Sequence, residues 1–117
     1  MVTGGCGFIG SHMVDLLIAE GHDVVVVDNF STRRPDNLAH HRGSPHLRVV
    51  EADVCDRERI APEFAGARWV FHFAALADIV PSIERPETYL HANVMGTLGA
   101  LEAARAAGAE RFVYSAS

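Results

Sequence analysis

Three glycines near the start of the chain have the spacing of a phosphate-binding loop. Gly4, Gly7 and Gly10 lie three residues apart, and Asp28 follows at about the 20-residue distance where dinucleotide-binding folds place the acid that binds ribose. A backbone that contacts a pyrophosphate tolerates no Cβ at the turn, at the point of closest approach, or where the helix packs on the strand. The spacing therefore predicts non-covalent binding of a dinucleotide. The alternative is a glycine-rich turn that serves packing alone.

The segments that flank these glycines are the ones that such a site needs. A helix is expected to begin near Phe8, so its free amides and the positive end of its dipole would face the phosphates. The valine-rich run that ends at Asp28 is typical of a buried parallel strand. A carboxylate at its end accepts hydrogen bonds from ribose hydroxyls and repels a 2′-phosphate, which favours NAD over NADP.

Strand and helix patterns alternate along the chain. Strands are predicted at Val2–Thr3, Val24–Asp28, Leu47–Glu51, 69–73 and 111–115, and helices from Phe8 to about Glu20, from Arg57 to Phe64, and after Pro86 to Ala107. Leu90, Val94, Leu98 and Leu101 are expected to form the buried stripe of the last helix. The alternation predicts an α/β fold, a doubly wound parallel sheet of Rossmann type with strand order 3-2-1-4-5. Ligands bind such sheets at the carboxyl ends of the strands.

Composition excludes several classes of function. The 117 residues are 49% hydrophobic and carry a formal net charge of −5, which fits one globular domain and no nucleic-acid partner. No apolar run approaches the ~20 residues that span a bilayer, so we expect no membrane partner and a cytoplasmic location. Cys6 and Cys55 are read as packing residues. His40, His41 and His46 are read as part of a solvated loop, and no metal is expected.

Seven motifs together resemble one enzyme family. They are 3–10, 28–32, 53–54, His72-Phe73-Ala74-Ala75, Arg85-Pro86, 93–97 and 111–117. In combination they are similar to the N-terminal half of extended short-chain dehydrogenases/reductases, nearest the UDP-galactose 4-epimerase group. The dTDP-glucose 4,6-dehydratases and UDP-glucuronate decarboxylases resemble the chain over most of the same motifs.

The resemblance implies a set of NAD-binding residues. They are Gly4, Gly7, Phe8, Ile9 and Gly10 at the pyrophosphate; Asp28 and Asn29 at the adenosine ribose, with Ser31, Thr32 and Arg33 in the adjacent loop; Asp53 and Val54 at the adenine; Phe73, Ala74, Ala75, Leu76 and Ala77 beneath the cofactor; Asn93 near the nicotinamide; and Ser115 at the end of the fifth strand. Asn93 has a second interpretation as a solvated or backbone-bonded helix side chain.

The resemblance also implies a catalytic role for Ser117, which aligns with the serine that hydrogen-bonds the sugar hydroxyl being oxidised. The family's proton acceptor is the tyrosine of a downstream Tyr-x-x-x-Lys pair. The chain ends before that pair and contains no lysine, so Tyr89 and Tyr114 have no lysine partner that could lower a tyrosine pKa. We therefore expect an incomplete NAD-binding Rossmann domain over 1–117, which lacks the C-terminal substrate part and is not catalytic by itself.

The predicted parent protein is a sugar-nucleotide 4-epimerase that interconverts UDP-hexoses through a 4-keto intermediate. Three alternatives stay open: a non-catalytic NAD-binding module, the front half of a nucleotide-sugar 4,6-dehydratase, and that of a UDP-glucuronate decarboxylase. An uncovered edge at the fifth strand would also pair with another chain, so we expect self-association or a homodimer.

Overall fold

Five parallel strands form a single sheet in the order β3-β2-β1-β4-β5. The computed structural model describes residues 1–32 and 35–116, so the expectations for Arg33 and Ser117 lie outside the described residues. The strands are β1 (Val2–Thr3), β2 (Val24–Asp28), β3 (Leu47–Glu51), β4 (Trp69–His72) and β5 (Arg111–Tyr114). The predicted fold class and strand order are confirmed, and the last two strands each end one residue earlier than expected.

Helices connect successive strands. They are α1 (Phe8–Ala19), a 3₁₀ helix (Pro35–His41), α2 (Arg57–Ile60) continued by a 3₁₀ turn (Ala61–Phe64), α3 (Ile79–Glu84), α4 (Pro86–Leu90), a π-helical segment (His91–Met95) and α5 (Gly96–Ala106). The sequence did not predict α3, whose first turn contains Pro81. Among the described residues, no helix is both long and apolar enough to cross a membrane.

The sheet is covered on both faces, as a doubly wound fold requires. Because side chains alternate along a strand, Val26 and Val27 of β2 point to opposite faces. Val26 packs in a cluster with Val14 of α1, and Val27 belongs to the cluster that holds Phe64 and Ala100. Both valines have no exposed surface. This packing fixes the sheet between α1 on one side and α2 with α5 on the other.

The predicted buried stripe of the last helix is wrong. Leu90, Val94, Leu98 and Leu101 are 62%, 54%, 40% and 41% exposed. The buried face of α5 consists of Gly96, Gly99, Ala100, Ala103 and Ala104. A Cβ on Gly99 would lie 2.5 Å from the Val54 carbonyl oxygen, so the helix packs too close for leucine. Apolar periodicity predicted the helix but selected the wrong face.

Candidate dinucleotide-binding site

A cleft of about 1500 Å³ opens at the carboxyl ends of the strands. Every described residue that the sequence predicted at a cofactor lines it: Gly4, Gly7, Phe8, Ile9, Gly10, Asp28, Asn29, Ser31, Thr32, Asp53, Val54, Phe73, Ala74, Ala75, Leu76, Ala77, Asn93 and Ser115. They come from six separate segments of the chain. Parallel strands place their carboxyl ends at one edge of the sheet, which brings these segments together.

Two of the three glycines are required by packing. Gly4 has φ +67°, and a Cβ there would lie 2.6 Å from the backbone nitrogen of Ala74. A Cβ on Gly10 would lie 2.2 Å from the Gly4 carbonyl oxygen. Gly7 has more room, with the same oxygen 3.2 Å from a built Cβ, and it lines the cleft. Packing therefore explains Gly4 and Gly10, whereas the absence of a side chain at Gly7 keeps the cleft open to a ligand.

The N-terminus of α1 has no side-chain cap. Gly7 is the N-cap residue and has no side chain that could accept from the amides of the first turn. The first amides of a helix lack intrahelical acceptors, and the helix dipole makes this end attractive to anions. Phe8 and Ile9, 72% and 58% exposed, line the cleft at this point. This geometry suits a pyrophosphate.

Asp28 organises the loops on both sides of the cleft. Its Oδ2 accepts a hydrogen bond from the Cys6 amide at 2.9 Å, and its Oδ1 accepts one from the Phe30 amide at 2.9 Å. Phe30 has φ +56°, so this bond supports a left-handed turn. An ionised carboxylate has about four lone-pair positions. Asp28 therefore retains acceptor capacity for ribose hydroxyls while it orients the glycine loop.

The ends of β2 and β3 are joined by side chains. Asn29 Nδ2 donates to Asp53 Oδ2 at 3.0 Å, and the Cys55 amide donates to Asp53 Oδ1 at 2.8 Å. Burial acts to raise the pKa of the Asp53 carboxyl, but the hydrogen bonds from Cys55 and Asn29 outweigh it and lower the pKa. Asp53 is therefore an anion at neutral pH, held at the rim of the cleft as an acceptor.

Asn93 holds the loop that follows β4. Its Oδ1 accepts from the Leu76 amide at 2.8 Å, and its Nδ2 donates to the Leu76 carbonyl at 2.9 Å. Asn93 lies in the π-helical segment between α4 and α5, where the wider turn interrupts the regular helix. Asn93 is thus bonded to the backbone of Leu76, and both residues line the cleft.

A buried histidine to which the sequence motif assigned no separate role ends β4, just before this loop. His72 is 1% exposed; its Nδ1 lies 2.6 Å from Thr3 Oγ1 and its Nε2 lies 2.9 Å from Thr97 Oγ1. Thr97 Oγ1 donates to the Asn93 carbonyl, so it accepts from His72 Nε2–H. The Nδ1 of this neutral tautomer then accepts from Thr3. Burial lowers the pKa of His72 to about 4, which keeps the ring neutral. The sequence did carry a signal for such a buried polar residue, since this histidine stands between Phe71 and Phe73 in an apolar strand.

Neither cysteine is an activated nucleophile. Burial, followed by the nearby Asp28 charge, raises the pKa of the Cys6 thiol to about 12. Burial and a contact with Asp53 raise the pKa of Cys55 to about 11. Both sulfurs therefore stay protonated at neutral pH, whereas a nucleophilic cysteine reacts as the thiolate. The two cysteines thus provide no nucleophile at the cleft.

Known enzymes are similar to this chain in sequence. The family model described as "NAD dependent epimerase/dehydratase family" matches residues 1–117. A UDP-glucose 4-epimerase from Mycolicibacterium smegmatis is 39% identical over 119 residues, covering 100% of this chain and 38% of the epimerase. A UDP-glucuronic acid decarboxylase 4 from Arabidopsis thaliana is 38% identical over 117 residues, covering 100% of this chain and 25% of the decarboxylase. The chain thus spans about a quarter to two fifths of the length of these relatives.

Solved structures share the fold. A UDP-glucose-4-epimerase from Stenotrophomonas maltophila, solved with bound NAD and formylated UDP-arabinopyranose, superposes with a TM-score of 0.91 and is 35% identical. The match covers 99% of this chain and 36% of that one. With the family match along its whole length, the chain belongs to the NAD dependent epimerase/dehydratase family.

Proposed function

We propose that residues 1–117 act as the NAD-binding domain of a sugar-nucleotide 4-epimerase that interconverts UDP-hexoses through a 4-keto intermediate. One observation carries the proposal: the uncapped N-terminus of α1 and the carboxylate of Asp28 line the same cleft. An anion-binding helix end and a ribose acceptor are the two groups by which Rossmann domains hold NAD.

Each part of the cleft has a proposed role. The amides of Phe8 and Ile9 bind the pyrophosphate, and Gly4, Gly7 and Gly10 keep side chains away from it. Asp28 and Asn29 hold the adenosine ribose beside Ser31 and Thr32, and Asp53 and Val54 contact the adenine. Arg33 is assigned to the ribose region by the family resemblance alone. The loop of Phe73, Ala74, Ala75, Leu76 and Ala77, fixed by Asn93, lies beneath the nicotinamide half, with Ser115 at the end of β5.

NAD, when bound, supplies reversible acceptance of hydride from the sugar carbon. The described residues position and orient it, since both thiols are protonated and the chain has no lysine. We assign to Ser117 a hydrogen bond to the sugar hydroxyl that is oxidised, because it resembles the serine that has this role in the family.

A UDP-glucuronate decarboxylase is the second candidate, supported by the 38% identity to a relative of that name. A 4,6-dehydratase and a non-catalytic NAD-binding module are the remaining alternatives. We further propose a nucleotide sugar as the substrate, a homodimer as the assembly and the cytoplasm as the location.

The proposal is tested on the purified protein in two steps. Isothermal titration with NAD and with NADP measures cofactor binding, and we expect NAD to bind more tightly. Because residues 1–117 contain no Tyr-x-x-x-Lys pair, turnover of UDP-glucose, UDP-glucuronate and dTDP-glucose is measured on the parent protein. UDP-galactose identifies the epimerase, a nucleotide-linked pentose the decarboxylase, and a 4-keto-6-deoxy sugar the dehydratase. NAD binding by residues 1–117 without turnover by the parent protein would identify the non-catalytic module, and no NAD binding would refute all four candidate functions.

A further inference from the structure

Two histidines of the 3₁₀ helix converge on an aspartate of α1, and none of the three lines the proposed cofactor cleft. His40 Nε2 and His41 Nε2 each lie 2.7 Å from Asp15 Oδ1. The three ligand atoms all lie within 4.8 Å of one another. The sequence analysis read His40 and His41 as part of a solvated loop, but both belong to the 3₁₀ helix Pro35–His41. Consecutive histidines in this helix thus reach one carboxylate on another element.

We propose that Asp15, His40 and His41 bind a divalent transition-metal ion of the zinc type. Two imidazole nitrogens and one carboxylate oxygen form a ligand set that zinc, cobalt and nickel accept, whereas magnesium and calcium prefer sites made wholly of oxygen. Three protein ligands leave a fourth position for water. None of the cleft-lining residues is used, so the site is separate from the proposed function.

The geometry needs only a small adjustment. At Zn–N and Zn–O distances of about 2.0–2.1 Å, neighbouring ligand atoms of a tetrahedron are about 3.3 Å apart. Asp15 Oδ1 must therefore move roughly 0.6 Å away from each nitrogen. The two nitrogens, which lie within 4.8 Å of each other, must also settle about 3.3 Å apart. The side chains of Asp15 and His40 are 42% and 55% exposed, so they have room to move and an ion can enter from solvent. The His41 side chain, only 16% exposed, supplies the fixed ligand.

The electrostatics of the cluster suit a cation. Burial acts to raise the pKa of Asp15, but the hydrogen bonds from His40 and His41 outweigh it and lower the pKa. An ion would replace these two N–H donors, since each Nε2 must lose its proton to become a ligand. Binding requires both Nε2 atoms without protons, so affinity should fall as the pH falls.

The ion would tie the 3₁₀ helix to α1. These two elements pack together through Leu38, which is 4% exposed in the cluster that contains Val14. Asn37 of the same 3₁₀ helix donates to the Cys6 carbonyl at 2.7 Å. A metal that cross-links the two elements should therefore raise the melting temperature of the protein, because it binds the folded state only.

The test is a titration of the purified, chelator-treated protein with Co²⁺, followed by the visible absorption of the bound ion. Asp15→Asn, His40→Gln and His41→Gln remove one ligand each. His46→Gln is the matched control, because His46 Nδ1 lies 2.8 Å from Asp23 Oδ1 in a more exposed pair for which the described residues offer no third ligand. Far-UV circular dichroism checks that each variant is folded.

We expect one equivalent of Co²⁺ in the wild type and in His46→Gln. Loss of an outer-shell partner of a metal site weakens metal binding by about 10–100-fold. The Asp15, His40 and His41 variants each lose a direct ligand, so each should weaken Co²⁺ binding by at least that factor. Zn²⁺ should raise the melting temperature of the wild type and of His46→Gln but not that of Asp15→Asn. Three results would overturn the proposal and leave a hydrogen-bonded cluster only. They are the absence of Co²⁺ binding by the wild type, unchanged binding in the Asp15, His40 and His41 variants, and an equal loss of binding in His46→Gln.

Discussion

The side chain of Asn93 pairs with the backbone of Leu76 through both of its polar atoms, at 2.8 and 2.9 Å. Seventeen residues separate the two positions along the chain. The pairing satisfies the amide and the carbonyl of a loop residue that no strand or helix contains, and it anchors that loop to the π-helical segment. A helix side chain thereby sets the floor of the cleft.

Replacement of Asn93 tests this link. Asn93→Ala removes both hydrogen bonds and should lower the free energy of unfolding by about 1–3 kcal/mol, because the Leu76 backbone groups lose their partners. NAD affinity should fall as well, which titration calorimetry measures. Asn93→Asp keeps the acceptor for the Leu76 amide but places a second carboxylate oxygen against the Leu76 carbonyl oxygen, where the two repel. Its stability relative to the wild type should recover as the pH falls, since a protonated carboxyl can donate again. Equal stability of Asn93→Ala and the wild type would contradict the assigned role.

Asp28→Arg should shift cofactor preference from NAD toward NADP. The change removes the ribose acceptor and adds a cation for a 2′-phosphate. It also removes the acceptor of the Cys6 and Phe30 amides, so some loss of stability is expected. Asp28→Asn is the control, because it keeps an acceptor and adds no cation. The ratio of the NADP and NAD dissociation constants is the readout, and a ratio unchanged in Asp28→Arg would count against Asp28 as the ribose ligand.

His72 should make the folded state sensitive to acid. Burial lowers the pKa of His72 from 6.5 to about 4, so the unfolded chain binds this proton at a higher pH than the folded chain does. The associated stability is fully present above about pH 6.5 and is lost as the pH falls toward 4. The loss amounts to about 3 kcal/mol. Urea unfolding across this pH window measures it.

His72→Gln is the comparison for that measurement. A glutamine can still donate to Thr97 and accept from Thr3, but it does not titrate. The variant should be less stable than the wild type at pH 7.5 and should lose less stability between pH 6.5 and 4. Parallel pH profiles for the two proteins would show that His72 does not carry the effect.

Gly10→Ala should be much more damaging than Gly21→Ala. A Cβ on Gly10 would lie 2.2 Å from the Gly4 carbonyl oxygen, whereas nothing lies within 4 Å of a Cβ on Gly21. Gly21 has φ +85°, so alanine there should cost only about 1 kcal/mol of backbone strain. Gly10→Ala must displace the glycine loop and should abolish NAD binding or stable folding. Thermal melts and NAD titration compare the two, and similar behaviour would refute the steric explanation.

The sequence predicted the sheet because its signals are local. The valine run before Asp28 and the spacing of Gly4, Gly7 and Gly10 each define an element without reference to the rest of the chain. The buried face of α5 could not be predicted in this way. Its burial depends on the close approach of Gly99 to Val54, a distance that only the folded chain contains.

The same distinction applies to the site. Residues at strand ends were found because a parallel sheet gathers them at one edge. The hydrogen bonds of His72 to Thr3 and Thr97 join three distant parts of the chain. The convergence of His40 and His41 on Asp15 likewise depends on how the 3₁₀ helix packs against α1. No periodic pattern reports such contacts.

The most direct test of NAD binding in this cleft is a crystal structure of the protein grown with NAD. We predict the pyrophosphate within hydrogen-bond distance of the Phe8 and Ile9 amides, and the adenosine ribose hydroxyls on the Asp28 carboxylate. The nicotinamide half should lie over the loop held by Asn93. Density for NAD elsewhere on the molecule, or an empty cleft at saturating NAD, would contradict the proposed function.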